Sequence, residues 1–313
     1  METLHAIGRQ TPNSRMSKRA SPINSPIILL GVERSGTSVV AEMIYTWGGY
    51  AGESDKLHEA DERAPRGYWE YLPLWEFLAE LGEFSSGASW WDSGFQKRME
   101  DKASDPKYRR KALELLGEMH RDGHPWFWKD PALCHFLPFW KQLWGDPVYV
   151  ITVRHPLDTA VSWQRFIMPP ELEDSVSFVP MNLLRWQHMM IQILKHTGSA
   201  RRIFIAYEDV LREPRAQAQR LDAFLNSRFG NRVSRIDGMV EVVNPELCHH
   251  NCDIPFQSVR EATREQKALY AVLQSMIDNP QLPFDKTAYP MPSGYLEFLK
   301  IQDALLRTYN SPK

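Results

Sequence analysis

The sequence predicts an α/β fold, with a central parallel sheet flanked by helices, and three observations carry that prediction. Brief apolar runs at Ile27–Leu30, Val148–Val153 and Arg202–Ala206 have the near-continuous hydrophobic character of strands buried on both faces. Stretches with a 3.6-residue apolar period separate them, and strands alternating with helices imply a parallel sheet. Polar residues stand directly after the runs: residues 31–38, Lys129, Arg154 and Tyr207. In open parallel sheets, ligands bind along the rim formed by the carboxyl ends of the strands.

The first run organises the chain. Ile27 to Leu30 leads into Gly31, Val32, Glu33, Arg34, Ser35, Gly36, Thr37 and Ser38, then into a helix. That helix carries Val39, Val40, Met43, Ile44 and Trp47 on one face and stops at Gly48-Gly49. Residues 50–71 are charged and read as a long loop able to fold over a site. Residues 72–81 are predicted helical, residues 84–106 aromatic and irregular, and residues 108–120 helical. Trp126, Phe127 and Trp128 read as a strand ending in Lys129-Asp130-Pro131. Helices are expected over residues 157–166, 181–196 and 214–225, the last opened by proline, and in the tail over residues 258–276 and 293–308.

A strand, a glycine turn and a helix start aim backbone N–H groups and partial positive charge into one concavity, which suits a phosphate-like anion. Arg34 adds a cation, and Ser35, Thr37 and Ser38 add hydroxyls. A Walker A loop carries Lys after its second glycine, whereas here Thr37 follows Gly36 and the cation comes earlier, at Arg34. That departure argues against a P-loop kinase or NTPase using ATP and Mg²⁺. This reading stays as one alternative, and a non-catalytic nucleotide-binding protein is the other.

With these residues in place, the chain resembles the sulfotransferases that use 3′-phosphoadenosine 5′-phosphosulfate. In that family the loop after the first strand grips the 5′-phosphosulfate, and residues 31–38 resemble it, with Arg34 where many members have Lys. A strand-end Arg, a Pro soon after and a Ser eight positions past the Arg grip the 3′-phosphate, and Arg154, Pro156 and Ser162 match. Tyr207-Glu208-Asp209, followed by Pro214 and a helix, resembles the late element whose tyrosine lies near the nucleotide. The resemblance covers roughly residues 25–225 in linear order, which is more specific than any single motif. It is nearer to bacterial, natural-product-type members than to animal phenol or steroid enzymes, and the C-terminal Arg-Lys-Gly segment of the latter is absent.

The resemblance implies a P-loop-like sulfotransferase fold over residues 25–313 with a helical C-terminal part. It implies transfer of a sulfuryl group from 3′-phosphoadenosine 5′-phosphosulfate, leaving adenosine 3′,5′-bisphosphate, to a hydroxyl or amine of a small molecule or sugar. A divalent metal is not required, because the sulfuryl group carries less charge than a γ-phosphoryl. A strand-end Arg suits a phosphate through charge-assisted, often bidentate bonds, and the competing reading of Arg154 is an ion pair with Asp158. Arg34 and Lys129 are expected to stabilise charge on the bridging oxygen; Lys129 has the alternative of a salt bridge with Asp130 or a neighbour. Where cytosolic members have Lys-x-His, this chain has Lys129-Asp130-Pro131, so the general base must come from elsewhere. Glu70 is the first choice, since related enzymes use a Glu after the first helix and an aromatic setting moves a carboxylate toward neutrality. His58 and Asp130 are the other candidates.

The remaining features bound the answer. The chain has 313 residues, 43% hydrophobic and 24% charged, with a net charge of −2, so no global field draws it to nucleic acid or a membrane. Residues 1–24 are polar and slightly basic and read as a flexible leader rather than a secretory signal. Three cysteines, Cys134, Cys248 and Cys252, make no disulfide framework, which fits a reducing cytoplasm. Cys248-His249-His250-Asn251-Cys252 looks like a metal cluster but lacks a paired second half. Among eleven tryptophans, Trp69, Trp90 and Trp91 are the candidates for an aromatic acceptor pocket.

Overall fold

The computed structural model describes residues 25–313 apart from 63, 87–89, 91–93, 122–123, 169–176, 199, 231–232, 248–252, 290–296, 298–299, 302–303 and 305–313. The leader, Trp91, the Cys248–Cys252 cluster and most of the expected last helix therefore lie outside the described residues. Four strands, β1 (Ile27–Leu30), β2 (Phe127–Lys129), β3 (Val148–Val153) and β4 (Arg202–Ala206), form one sheet in the order β2-β1-β3-β4. Every neighbouring pair is parallel, with Ile28 opposite Trp128 on one side and Tyr149 on the other.

Helix α1 (Thr37–Trp47) follows β1 directly. Three more helices, α2 (Leu72–Gly82), α3 (Phe95–Lys102) and α4 (Pro106–Glu118), precede β2. Helix α5 (Leu133–Trp140) links β2 to β3, and α6 (Pro156–Ile167) and α7 (Val179–Thr197) link β3 to β4. After β4 come α8 (Tyr207–Arg212), α9 (Pro214–Phe229), α10 (Ile236–Glu241) and α11 (Arg264–Asp278). No helix among the described residues is long and apolar enough to cross a membrane.

Successive strand residues point to opposite faces, so the alternation divides the interior into two cores. Ile28, Leu30, Trp128, Tyr149, Ile151, Val153 and Phe204 pack toward α2, α3, α4, α5, α7 and α11. Ile27, Leu29, Phe127, Val148, Val150, Ile203 and Ile205 pack toward α1, α9 and α10. Trp128, Trp140 and Trp144 interlock in the larger core, the first two edge to face at 4.8 Å. Such aromatic pairs add about 0.5–1.5 kcal/mol each beyond their buried area.

Four sequence expectations shift. The second strand sits one residue later than residues 126–128; Trp126 still accepts the Ile27 N–H at 3.0 Å, while its residue-level pairing is with Tyr50. The irregular aromatic stretch contains α3, started by Gly94 in the left-handed region (φ 83°). Helix α5 was not expected at all, because it is buried on every side and shows no amphipathic period to read. The expected tail helix is shorter at its start: Thr263 and Gln266 form a reciprocal capping box that opens α11.

Gly31 is where the sheet and the first loop meet most tightly. A Cβ there would lie 2.0 Å from the Thr152 Oγ1 and 2.8 Å from the Ser35 Oγ, both in the buried interior. Gly31→Ala is therefore expected to lower the unfolding free energy by about 1–3 kcal/mol, the usual cost of overpacking, read from the midpoint of urea unfolding.

Candidate active site

The strand order reverses at β1: the chain leaves β1 toward β2, and leaves β3 toward β4 on the other side. Loops after β1 and β3 therefore diverge and leave a crevice at the carboxyl edge, where ligands of such sheets bind. A cavity of about 1020 Å³ lies there. It runs from Gly36, Thr37 and Ser38 past Lys129 to an apolar end walled by Leu78, Phe84, Trp90 and Phe136.

The loop after β1 is held by short, buried bonds. The Ser35 hydroxyl donates to the Val32 carbonyl at 2.6 Å and lies 2.7 Å from the Thr152 Oγ1, and its N–H donates to the same carbonyl. Ser35 is thus turned inward, 1% exposed, and shapes the loop instead of lining the cavity as the sequence suggested. Arg34 (φ 68°) and Gly36 (φ 87°) both adopt the left-handed region. Gly36 is required twice over, because a Cβ would stand 2.2 Å from the Tyr207 ring. Helix α1 begins with no side-chain cap and no acidic residue in its first turn. Its first N–H groups, which have no intrahelical partner, face the crevice with the helix dipole behind them.

Two guanidinium groups crowd this helix start. Arg154, directly after β3, donates from Nη1 to the Arg34 carbonyl at 2.8 Å and lies 4.8 Å over the Tyr207 ring. Arg34 donates from Nε to the Ser162 Oγ at 3.1 Å and stands 5.3 Å over Phe166. Burial first, then the neighbouring Arg154 charge, lower the Arg34 pKa. Two cations held close in a half-buried place are relieved by an anion between them. The sequence joined Ser162 to Arg154 and put Arg34 at the other end of the ligand. In the structure the Ser162 hydroxyl accepts from Arg34, so the loop after β1 and helix α6 share one cationic pocket. Behind it, Glu208 accepts the His155 N–H at 2.7 Å and burial raises its pKa, fixing the turn that launches α6.

Midway along the cavity, Lys129 at the end of β2 is 3% exposed. Its Nζ donates to Glu70 Oε1 at 2.7 Å and to the Tyr68 carbonyl at 2.8 Å. The salt bridge that was the alternative reading of Lys129 is formed with Glu70, 59 positions away. Glu70 ends a loop that folds on itself: the His58 N–H donates to the Glu70 carbonyl, and the Tyr68 hydroxyl lies 2.9 Å from both Asp61 carboxylate oxygens. Arg66 ties the same loop to Glu42 of α1. His58 lines the cavity and packs edge to face on Tyr68.

Asp130 also lines the cavity and is 2% exposed. Its Oδ1 accepts the Ala132 N–H at 2.8 Å, and its Oδ2 is buried with no hydrogen-bond partner. Burial first, then the Glu70 charge, push the Asp130 carboxyl up to about 8, against the opposing pull of the Ala132 N–H and Lys129.

Several wall residues were not singled out by sequence. Glu33 and Arg185 form a two-point ion pair, with Arg185 Nε 3.3 Å from Glu33 Oε2, and the guanidinium lies 4.4 Å over Trp163 and 5.9 Å over Trp90. Their only signal was adjacency: Glu33 precedes Arg34 and Trp163 follows Ser162. Of the aromatic candidates, Trp90 lines the cavity, whereas Trp69 packs with Tyr45 and Phe127 in the smaller core.

A sequence model of the sulfotransferase family matches residues 26–230, which contain the loop after β1, Glu70, Lys129, Arg154, Ser162 and Tyr207. The chain belongs to that family. Among solved structures it is similar to the sulfotransferase domain of the Synechococcus PCC 7002 olefin synthase, at 18% identity and a TM-score of 0.44, over 81% of this chain and 94% of that one. It is also similar to sulfotransferase STF9 from Mycobacterium avium, at 16% identity and a TM-score of 0.44, over 82% of this chain and 77% of the other. None of the curated proteins compared with it is similar enough to match.

The Lys129–Glu70 pair makes a direct test of the site's electrostatics. Removing Glu70 leaves a buried ammonium without its counter-charge, so Glu70→Ala is expected to cost about 3 kcal/mol of stability in urea unfolding. The double change Lys129→Met with Glu70→Leu is expected to restore most of that loss, because no buried charge is then left unpaired.

Proposed function

We propose that this sulfotransferase uses 3′-phosphoadenosine 5′-phosphosulfate as donor and sulfates a hydroxyl or amine of a small molecule or sugar. The observation that carries the reading is the pair Arg34 and Arg154, brought together at the uncapped start of α1 in the crevice between β1 and β3. A doubly phosphorylated adenosine suits that pocket. The N–H groups at the start of α1, with Thr37 and Ser38, bind one anionic end, and Arg154, Ser162 and Arg34 bind the other by charge-assisted bonds. Tyr207, already under the Arg154 guanidinium, supplies an aromatic face beside them. The missing Lys after Gly36 speaks against a kinase or NTPase.

The donor supplies an activated sulfuryl group. Lys129, a buried cation on the cavity wall at the end of β2, is suited to charge that builds on the departing phosphate oxygen. As Lys129 turns to that oxygen it gives up Glu70, whose freed carboxylate takes the proton from the acceptor's hydroxyl or amine. In the balanced step, the acceptor's oxygen or nitrogen bonds to sulfur as sulfur parts from the bridging oxygen. Catalysis of this kind rests on positioning and charge stabilisation, as in phosphoryl transfer.

Three measurements test the reading. Arg154→Ala is expected to weaken adenosine 3′,5′-bisphosphate binding by about 2–5 kcal/mol in calorimetry, since the phosphate it pairs is left unmatched. An affinity equal to that of the unchanged protein removes Arg154 from the site. Glu70→Gln is expected to lower kcat about 10²–10⁴-fold while bisphosphate affinity stays within a few-fold, as befits a group acting on the proton in flight. A thermal-shift series with the bisphosphate and with ATP–Mg²⁺ is expected to stabilise the protein with the former only.

A further inference from the structure

Arg34 is held in a costly conformation. Its backbone lies in the left-handed region (φ 68°), which a residue with a Cβ keeps only where its surroundings over-determine it. Arg154 holds its carbonyl, and Ser162 accepts from its Nε. A third hold acts on the residue before it. Glu33 forms a two-point ion pair with Arg185 of α7, 152 positions along the chain, and the two side chains are only 17% and 12% exposed. A carboxylate and a planar guanidinium fork that meet at two points fix direction as well as distance. The same guanidinium lies 4.4 Å over Trp163, Trp163 stacks on Phe166 at 5.5 Å, and the Arg34 guanidinium lies 5.3 Å over Phe166. These contacts close a ring, from Arg34 through Phe166, Trp163, Arg185 and Glu33 and back along the chain to Arg34. The ring ties the loop after β1 to α6 and α7, and every member lines the cavity.

Resting on the reading of 3′-phosphoadenosine 5′-phosphosulfate as donor, we propose that Arg185 is a positioning residue for that donor: through Glu33 and Trp163 it fixes the backbone and the guanidinium of Arg34 where a phosphate of the donor meets them. The Nε and Nη2 of Arg185 are turned to Glu33 and its face to Trp163, so it acts on the donor through Arg34. The demand is for shape as well as charge. A lysine ammonium at the same place keeps the charge but has neither the two-point fork nor a flat face to lay on an indole.

The test measures adenosine 3′,5′-bisphosphate affinity by calorimetry in a double-mutant cycle with Arg34. The ion pair is removed as a unit, Glu33→Gln with Arg185→Met, so the net charge around the cavity does not change and a lost field cannot imitate lost position. The expected result is an affinity lowered about tenfold by removing the pair when Arg34 is present. When Arg34→Met is already in place, removing the pair is expected to change affinity by no more than a factor of about two, because the group it positions is gone. Arg185→Lys, which keeps the charge, is expected to lose about fivefold with Arg34 present and nothing further with Arg34→Met. This second cycle decides the matter if the variant without the pair does not fold. Overturning results are an unchanged affinity without the pair, losses of equal size with and without Arg34, or an unchanged affinity in Arg185→Lys. A merely structural pair lowers the midpoint of urea unfolding and leaves the bisphosphate affinity of the folded protein where it was, which also overturns the proposal. Failure of the unchanged protein to bind the bisphosphate overturns the donor reading instead, and is seen before any variant is made.

Discussion

The bond from Arg154 Nη1 to the carbonyl of Arg34 joins the two loops on which the site depends. The parallel order β2-β1-β3-β4 sends those loops apart, and without a cross-link the crevice between them would have no defined width. A main-chain acceptor holds the Arg154 Nη1 and the Tyr207 ring lies against the guanidinium face, so the position of the group on the crevice is set. The left-handed turn at Arg34 and Gly36 follows from the same need, because it brings the start of α1 under the guanidinium and lets Tyr207 close against the glycine.

At the next strand over, a different solution holds a cation in place. Lys129 is buried with its carboxylate, and that carboxylate belongs to a loop more than fifty residues earlier. The pair thus does two things: it lets an ammonium exist at the end of a buried strand, and it draws the loop of residues 57–71 over the cavity. Desolvating both charges is expensive, and the return is geometric, a lysine aimed along the rim with a carboxylate beside it. Asp130, one residue on, forms no ion pair among the described residues, and burial with the Glu70 charge pushes its carboxyl up to about 8, one oxygen accepting the Ala132 N–H and the other left without a partner.

Where local chemistry dominates, the sequence was legible. The apolar runs of β1, β3 and β4 have the bounds the residues suggested, since a strand buried on both faces has a composition unlike its surroundings. The glycine turn before α1 and the stop at Gly48 were legible as well, because Gly36 and Gly48 flank the helix in the left-handed backbone region that glycine adopts most readily. Helix α5 escaped notice for the opposite reason: eight buried residues with a proline inside show no period, and only packing against α3 and α7 makes them helical. The short polar helix α3 was hidden likewise, inside a stretch whose aromatic residues suggested irregular chain.

The sequence by itself determined the class of fold, the family, and which strand ends carry Arg34, Lys129, Arg154 and Tyr207, because strand burial, turn chemistry and motif spacing act over a few residues. Tertiary structure alone decided the pairings. It turned Ser35 inward, gave Ser162 to Arg34, joined Lys129 to Glu70, and left Asp130 without a partner for one oxygen. Those outcomes depend on which distant groups share a desolvated volume, and charge pairing in such a volume follows distance in space, for which separation along the chain is no guide.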